Sequence, residues 1–425
     1  MRVGIWVDFR GDRVSGIRTY VRNLLRALVS LGQDGHYQLF VNRSNAAVFR
    51  DLQSESLTRI LVGGRLRERL LSAAAVEAER RRQAAAKSCL AKWVEKAAQY
   101  GLSLSRDAAL LRNCGPQVMH YTTATMPLSH LKVAMPRVVS VYEVHRRFQS
   151  PGSKPLSVRH ERHAVAVRAA TRIITLSGFT RDNLVRHLGA PAERIEIVHG
   201  AAGPEFSREY SRDEIHAEKV RRSLPDSFLF YPAFTWSHKN HVRLLEALAI
   251  LQRSRWTPVK LVLTGRPRHA APEIRRAIAR LGLSEQVIEL GYVPDEEVPL
   301  LYRLATALVF PSLGEGFGLP IVEAMASGCP VVCSGVTSLP EVAGDAALFC
   351  DPTDSKDIAE KVALLLDSED MRRRLIDKGL ARAAQFSWEK AALQTFKVYE
   401  SAVREGPASS VGLRQAPPSH RAVPL

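Results

Sequence analysis

Short, wholly apolar runs alternate along this chain with longer segments whose apolar residues recur every three or four positions. The runs RVGIWVDF (2–9), YQLFVN (37–42), QVMHY (117–121), RVVSVY (137–142), RIITL (172–176) and RIEIV (194–198) predict strands. Ile17, Val21, Leu24, Leu25 and Leu28 recur at helical spacing and predict a helix over about 17–31, and further helices are predicted at 157–170 and 178–188. The second half repeats the alternation. Strands are predicted at 228–233, 259–265, 287–291, 307–312, 330–334 and 346–351. Helices are predicted at 240–253, 271–281, 295–304, from near Pro320, at 339–343, 355–366, 369–384 and 388–404. Strands that are apolar throughout need helices on both faces, so the pattern predicts an α/β protein of two doubly wound, Rossmann-like domains with parallel sheets. The expected division is 1–205 and 206–387, with helix 388–404 packing back on the first domain and 405–425 a Pro/Ser-rich disordered tail. Open sheets of this kind take ligands at the carboxyl ends of their strands, so a cleft between two such edges is the expected site.

Composition changes this picture little, and charge changes it more. Of 425 residues, 46% are hydrophobic and 24% charged, as in an ordinary globular protein, which excludes wholesale disorder and a collagen-like or disulfide framework. No apolar run reaches the roughly 18–20 residues of a membrane span, and the N-terminus reads as a first strand rather than a signal segment, so the expected location is cytoplasmic. Cysteines 89, 114, 329, 333 and 350 lack zinc-type spacing and read as reduced core residues. The formal net charge is +17. Residues 1–200 carry 32 Lys and Arg against 15 Asp and Glu, whereas residues 201–425 carry 28 of each. The Ala- and Arg-rich stretch 65–112 reads as long helices with a basic face. Such a surface is either simply solvated or meets an anionic partner, and an anionic membrane surface is the favoured one. Aromatic signatures, zinc fingers and helix-turn-helix patterns are missing, so no nucleic acid partner is expected.

The segment with most chemistry is FPSLGEGFGLPIVEAMASGCPVV, residues 310–332. It stands where a strand turns into a helix. Its glycines permit tight turns, Pro320 suits the start of a helix, and the amides of Phe317, Gly318 and Leu319 form a helix N-terminus suited to phosphate. Glu315 and Glu323 are carboxylate acceptors for sugar hydroxyls. In YPAFTWSHKNH (231–241), Lys239 is expected to begin a helix and to neutralise a diphosphate leaving group.

The Glu315/Glu323 pair within EGFGLPIVEAMASGCPVV resembles the donor-site signature of retaining glycosyltransferases of the GT-B fold, family 4. The likeness runs from Val3 to about Glu400 and includes GVTSLPEVAGDAALFCDP, LVLTGRP, VIELGYVPDEEVPLLY and FSWEKAA. The resemblance implies that Glu323 binds the nucleotide ribose, that Glu315 contacts hydroxyls of the donor sugar, and that Gly16 lies in a loop approaching donor phosphate and acceptor. The family's cleft arginine is replaced by Ala233, leaving His238 or Arg266 to supply that charge. The family's sugar-orienting histidine has no counterpart at Tyr142-Glu143. His145 is the nearest candidate, and Glu143 can instead meet the acceptor. WSHKNH is similar to enzymes of bacterial surface-polysaccharide assembly. The resemblance therefore implies a hexosyltransferase using a GDP- or UDP-sugar, GDP-mannose first, on a glycan or lipid-linked glycan acceptor. Retention at the anomeric carbon is implied, and no cofactor and no metal are expected. The competing readings are another GT-B-like enzyme, such as an epimerase or phosphorylase, and a nucleotide-sugar-binding protein that has lost transfer.

Overall fold

A computed structural model describes residues 1–7, 16–32, 35–62, 108–124, 126–144, 158–254 and 258–408. The predicted basic helices therefore lie outside the described residues, except for a helical stretch at 108–114. The loop before Gly16, His145 and the tail beyond residue 408 also lie outside them.

The chain divides into two compact units. The first comprises Met1–Thr175, Arg181–Val198 and the chain from Ala392, and the second Leu176–Thr180 and His199–Ala391. The first division thus falls between Val198 and His199, a few residues before the expected one, and the return falls inside the last helix, Trp388–Glu405.

The first unit holds β1 (Arg2–Val7), β2 (His36–Val41), β3 (Leu57–Leu61), β4 (Val118–Tyr121), β5 (Arg137–Val141), β6 (Arg172–Thr175) and β7 (Ile195–Ile197). They form one sheet in the order β3-β2-β1-β4-β5-β6-β7, every pair parallel. Edge strand β3 departs from the expected pattern: LTRIL is mostly exposed and lacks the apolar contrast of its neighbours. The helix Gly16–Ser30 lays Tyr20, Val21, Leu24, Leu25 and Leu28 into the core, as its periodicity predicts. Tyr399 of the last helix is wholly buried, and its hydroxyl pairs with His120 Nδ1 of β4 at 2.7 Å. The other ring nitrogen of His120 pairs with Ser140 Oγ of β5 at 2.8 Å. Removed from water, the imidazole is saturated by these partners, and the helix is tied to two central strands.

The second unit holds β8 (Leu229–Pro232), β9 (Leu261–Thr264), β10 (Val287–Gly291), β11 (Ala307–Phe310), β12 (Val331–Ser334) and β13 (Ala347–Cys350). The order is β10-β9-β8-β11-β12-β13, again all parallel. Strand order reverses between β8 and β11, the position where doubly wound sheets open a ligand crevice. One helix has no counterpart in the predicted pattern. Arg212–Arg222 is so polar that it shows no apolar stripe, but Ser211 and Glu214 close a full capping box at its start. The four described cysteines are free, three of them buried.

These are two Rossmann-like α/β units with parallel sheets, the GT-B architecture. Among the described residues no helix is long and apolar enough to cross a membrane.

Candidate functional site

The loops leaving β8 and β11, the two strands at the switch point, carry the densest polar contacts of the second unit. After β8 the chain makes a tight turn at Ser237–Lys239 and closes it with Asn240 in the left-handed region at φ 62°. The long helix starts only at His241, so Lys239 stands in the turn before the helix rather than within it. Asn240 suits the turn because asparagine tolerates positive φ. Its Nδ2 donates to the carbonyls of Pro311 at 3.0 Å and Pro352 at 2.7 Å, fastening this turn to the loop after β11. The Leu313 amide adds a bond to the His238 carbonyl at 2.8 Å.

These ties bring Lys239 and Glu315 together. Lys239 Nζ donates to Glu315 Oε1 at 2.6 Å, with the two side chains 17% and 13% exposed. Ser312 Oγ, fully buried, approaches the same Oε1 at 2.6 Å. The ammonium also lies 5.2 Å from the Phe310 ring centroid. The Tyr231 hydroxyl donates to the Lys239 carbonyl at 2.5 Å. Burial, and then the Glu315 charge, push that hydroxyl well above its ordinary pKa, so it remains a donor. On the far side the Glu315 amide donates to Thr337 Oγ1 at 3.1 Å, and Ser338 Oγ donates to the Glu315 carbonyl at 3.0 Å. Both ends of this carboxylate's backbone are held.

Gly318 caps the helix Leu319–Ala326 at φ +99°, a backbone conformation that favours glycine, and a Cβ there would stand 2.7 Å from Leu339 Cδ2, so the leucine would have to shift. The side chains of Phe317 and Leu319 are buried, so these residues can meet a ligand chiefly through their amides. Phe317 packs edge-on to Phe386 and stacks on His199. The Gly316 carbonyl accepts from Ser177 Oγ at 2.7 Å, while Ser177 Oγ also accepts from the Thr180 amide at 3.2 Å. Ser177 and Thr180 thus serve as helix cap and loop contact.

Glu323 is the fifth residue of its helix, at the start of the second turn. It is half-buried and accepts from the Tyr302 hydroxyl at 3.1 Å. Burial raises its pKa to about 7. The Tyr302 bond works against this, while Asp295 and Glu205 add to it.

Just beyond β9, Gly265 at φ +127° brings the loop that carries Arg266 against the Ala233 carbonyl. The Arg266 guanidinium stacks 4.5 Å from the Tyr292 ring centroid at the end of β10. Gly16 and Glu143 belong to the first unit: Gly16 opens the first helix and Glu143 is exposed just beyond β5. The residues that sequence reasoning missed are Ser312, Tyr302 and Thr337. Ser312 stood in plain view three residues before Glu315, while Tyr302 gave no spacing signal. Among the described residues no three His, Cys, Asp or Glu side chains cluster as a metal would require.

Comparison with known proteins gives the family. Residues 211–382 match the family model described as glycosyl transferases group 1, and residues 14–206 match that of glycosyltransferase family 4. The O-antigen chain mannosyltransferase B of Escherichia coli is 34% identical over 299 residues, 69% of this chain and 77% of that protein. The chain belongs to glycosyltransferase family 4. The serotype-specific mannosyltransferase WbdA of Escherichia coli is also 34% identical, but over 229 residues that span only 28% of that protein. An α-(1→4)-mannosyltransferase of Mycolicibacterium hassiacum is 41% identical over 164 residues, 38% of this chain and 39% of that protein. Among solved structures, Anabaena Alr3699/HepE, crystallised with UDP and glucose, superposes with a TM-score of 0.72 at 18% identity, covering 94% of this glycosyltransferase and all of that chain. WaaG, a glycosyltransferase of lipopolysaccharide biosynthesis, superposes at 0.66 with 15% identity over 93% of this chain and 98% of its own.

Proposed function

We propose that this glycosyltransferase moves a hexose, mannose first, from a nucleoside diphosphate sugar to a hydroxyl of a glycan or lipid-linked glycan, in the making of a cell-surface polysaccharide. The transfer is proposed to retain the anomeric configuration and to need no metal. The observation that carries the reading is the Lys239–Glu315 pair at the switch point of the second sheet. A cation and a carboxylate held 2.6 Å apart match the two ends of the donor's reacting half. The departing diphosphate needs positive charge where its own charge develops, and the sugar hydroxyls need an acceptor. Lys239 supplies the first, joined by the amides at 317–319. Glu315 supplies the second, and Glu323 holds the ribose. Arg266 is a further candidate for the diphosphate. Gly16, Glu143 and His145 are proposed on the acceptor side or beside the donor sugar.

Mannose is favoured because mannosyltransferases of Escherichia coli and Mycolicibacterium hassiacum are 34% and 41% identical to this chain over 299 and 164 residues. UDP is kept as the competing donor base because the Anabaena structure holds it. The experiment is calorimetry of the full chain with GDP, UDP, ADP and dTDP, followed by transfer from the matching sugar nucleotide to a panel of glycan acceptors. NMR of the product's anomeric carbon reads the stereochemistry. One nucleotide binding the wild type but not Lys239→Ala or Glu323→Ala supports the site. Binding without transfer to any acceptor, and without donor hydrolysis, favours a binding protein. Inversion of the anomeric centre overturns the retaining route.

A further inference from the structure

Glu323 does not meet its ligand as an unsupported side chain. We infer that Tyr302 is a positioning residue for Glu323: its hydroxyl holds Oε2 and leaves the other carboxylate oxygen aimed for the donor. The inference rests on the proposed reading of Glu323 as the ribose acceptor.

The geometry is specific. Tyr302 stands on the helix Val298–Leu304 and is wholly buried. Its ring is clamped edge-on by Phe230 of β8 at 5.1 Å and by Phe206 at 5.9 Å. Neither aromatic partner allows the ring to swing, so the hydroxyl has one place to point, 3.1 Å from Glu323 Oε2. Burial, and then the Glu323 charge and bond, raise the hydroxyl pKa well above its ordinary value, with buried Cys329 acting in the same direction. Tyr302 therefore donates and never competes as an anion. A ribose diol offers two donors and needs an ionised, oriented acceptor.

The remaining groups around Glu323 make that donation matter. Asp295, in the loop after β10, and Glu205, in the turn Pro204–Ser207, both place negative charge against it. The nearest cation on Tyr302's own helix, Arg303, turns its Nη1 to the Ser327 carbonyl. The tyrosine is thus the group that opposes burial and two like charges. With its titration at about 7, Glu323 loses the carboxylate form as pH falls through that value, and donor binding should weaken over the same interval.

The test is Tyr302→Phe in the full chain, which keeps the ring and its packing. Nucleotide binding at pH 8 is expected to weaken about tenfold, the order of one hydrogen bond to a charged group. kcat at saturating donor is expected to hold while KM rises. The carboxyl titration of Glu323, followed by carbon NMR of labelled glutamate and assigned by its loss in Glu323→Gln, should move to higher pH. 3-Fluorotyrosine at 302 keeps the hydroxyl and makes it a stronger donor, so it should move the titration to lower pH; this arm serves even if the phenylalanine variant folds poorly. If neither replacement moves the titration or the affinity while Glu323→Gln loses nucleotide, the ribose reading stands and the role of Tyr302 is overturned. If Glu323→Gln binds nucleotide like the wild type, the ribose reading falls, and the positioning role falls with it.

Discussion

Lys239 Nζ and Ser312 Oγ converge on one oxygen of Glu315, Oε1, each at 2.6 Å. A carboxylate held through one oxygen keeps the other for a ligand, and on the proposed reading the lysine beside it supplies charge for a phosphate. Each partner should therefore matter to transfer by a different route. Lys239→Ala is expected to lower kcat about 10²–10³-fold, the usual loss when a charge-stabilising donor is removed. Lys239→Arg should recover part of it, because the charge returns without the geometry. Glu315→Gln should chiefly raise KM for the donor sugar. Since the two side chains act as a unit, the double variant should lose much less than the product of the single losses. Steady-state kinetics of the four variants check this, and multiplicative losses in the double variant would refute the coupling.

Gly318 tests the rigidity of the same loop. Its φ of +99° strains any other residue, and an added Cβ, 2.7 Å from Leu339 Cδ2, would make that leucine shift. Gly318→Ala should cost about 1–3 kcal/mol, the range for strained left-handed residues. The urea midpoint should fall accordingly, and the nucleotide affinity with it, because the helix N-terminus is displaced. A variant with wild-type midpoint and affinity would show that the loop relaxes freely.

Most of the fold is legible in the chain because its strands are buried on both faces and therefore read as apolar runs. Phe310 and Val331 need no partner to betray their strands. Legibility fails where burial is one-sided or absent, in the exposed edge strand at Leu57–Leu61 and in the polar helix Arg212–Arg222. In the site, Glu315 and Glu323 are visible because glycines and a helix-starting proline surround them. Their supports are not. Lys239 and Glu315 are 76 residues apart, and Tyr302 reaches Glu323 from 21 residues away, on another helix. Only the switch in strand order between β8 and β11 brings the first pair together, and no local spacing encodes it. Lys239 itself reads as a helix start because nothing in SHKNH distinguishes that from a tight turn closed by Asn240.

Three buried histidines make the protein acid-sensitive above the range of its carboxylates. Burial lowers His120 and His130 to about 3 and His241 to about 4, with Arg137 adding to the effect on His130. In the unfolded chain each titrates near 6.5. Between the folded and unfolded values the unfolded state binds more protons, so stability is full above about pH 6.5 and is lost as pH falls. The slope approaches about 1.4 kcal/mol per pH unit for each histidine. Glu323, raised to about 7, takes up a proton in the fold over the same interval and offsets about one histidine. Urea midpoints should still decline from pH 7 to pH 5, and His120→Gln, which cannot protonate, should decline less steeply. A flat profile across that interval would contradict the burial of all three.

Residues 1–200 carry 32 basic side chains against 15 acidic ones, an excess that is either simply solvated or meets an anionic surface. A lipid-linked acceptor would place that surface at a membrane, where each Lys or Arg close to anionic headgroups contributes about 1 kcal/mol. Binding of that origin is screened within about 10 Å at 0.1 M salt, so it must weaken as salt rises. The full chain should co-sediment with vesicles of about 30% anionic lipid at low salt, leave them as ionic strength increases, and ignore neutral vesicles. The same series separates this attraction from apolar insertion, which salt does not release. Equal binding to neutral and anionic vesicles would sink the electrostatic account, and no binding at any salt would return the basic half to solvent.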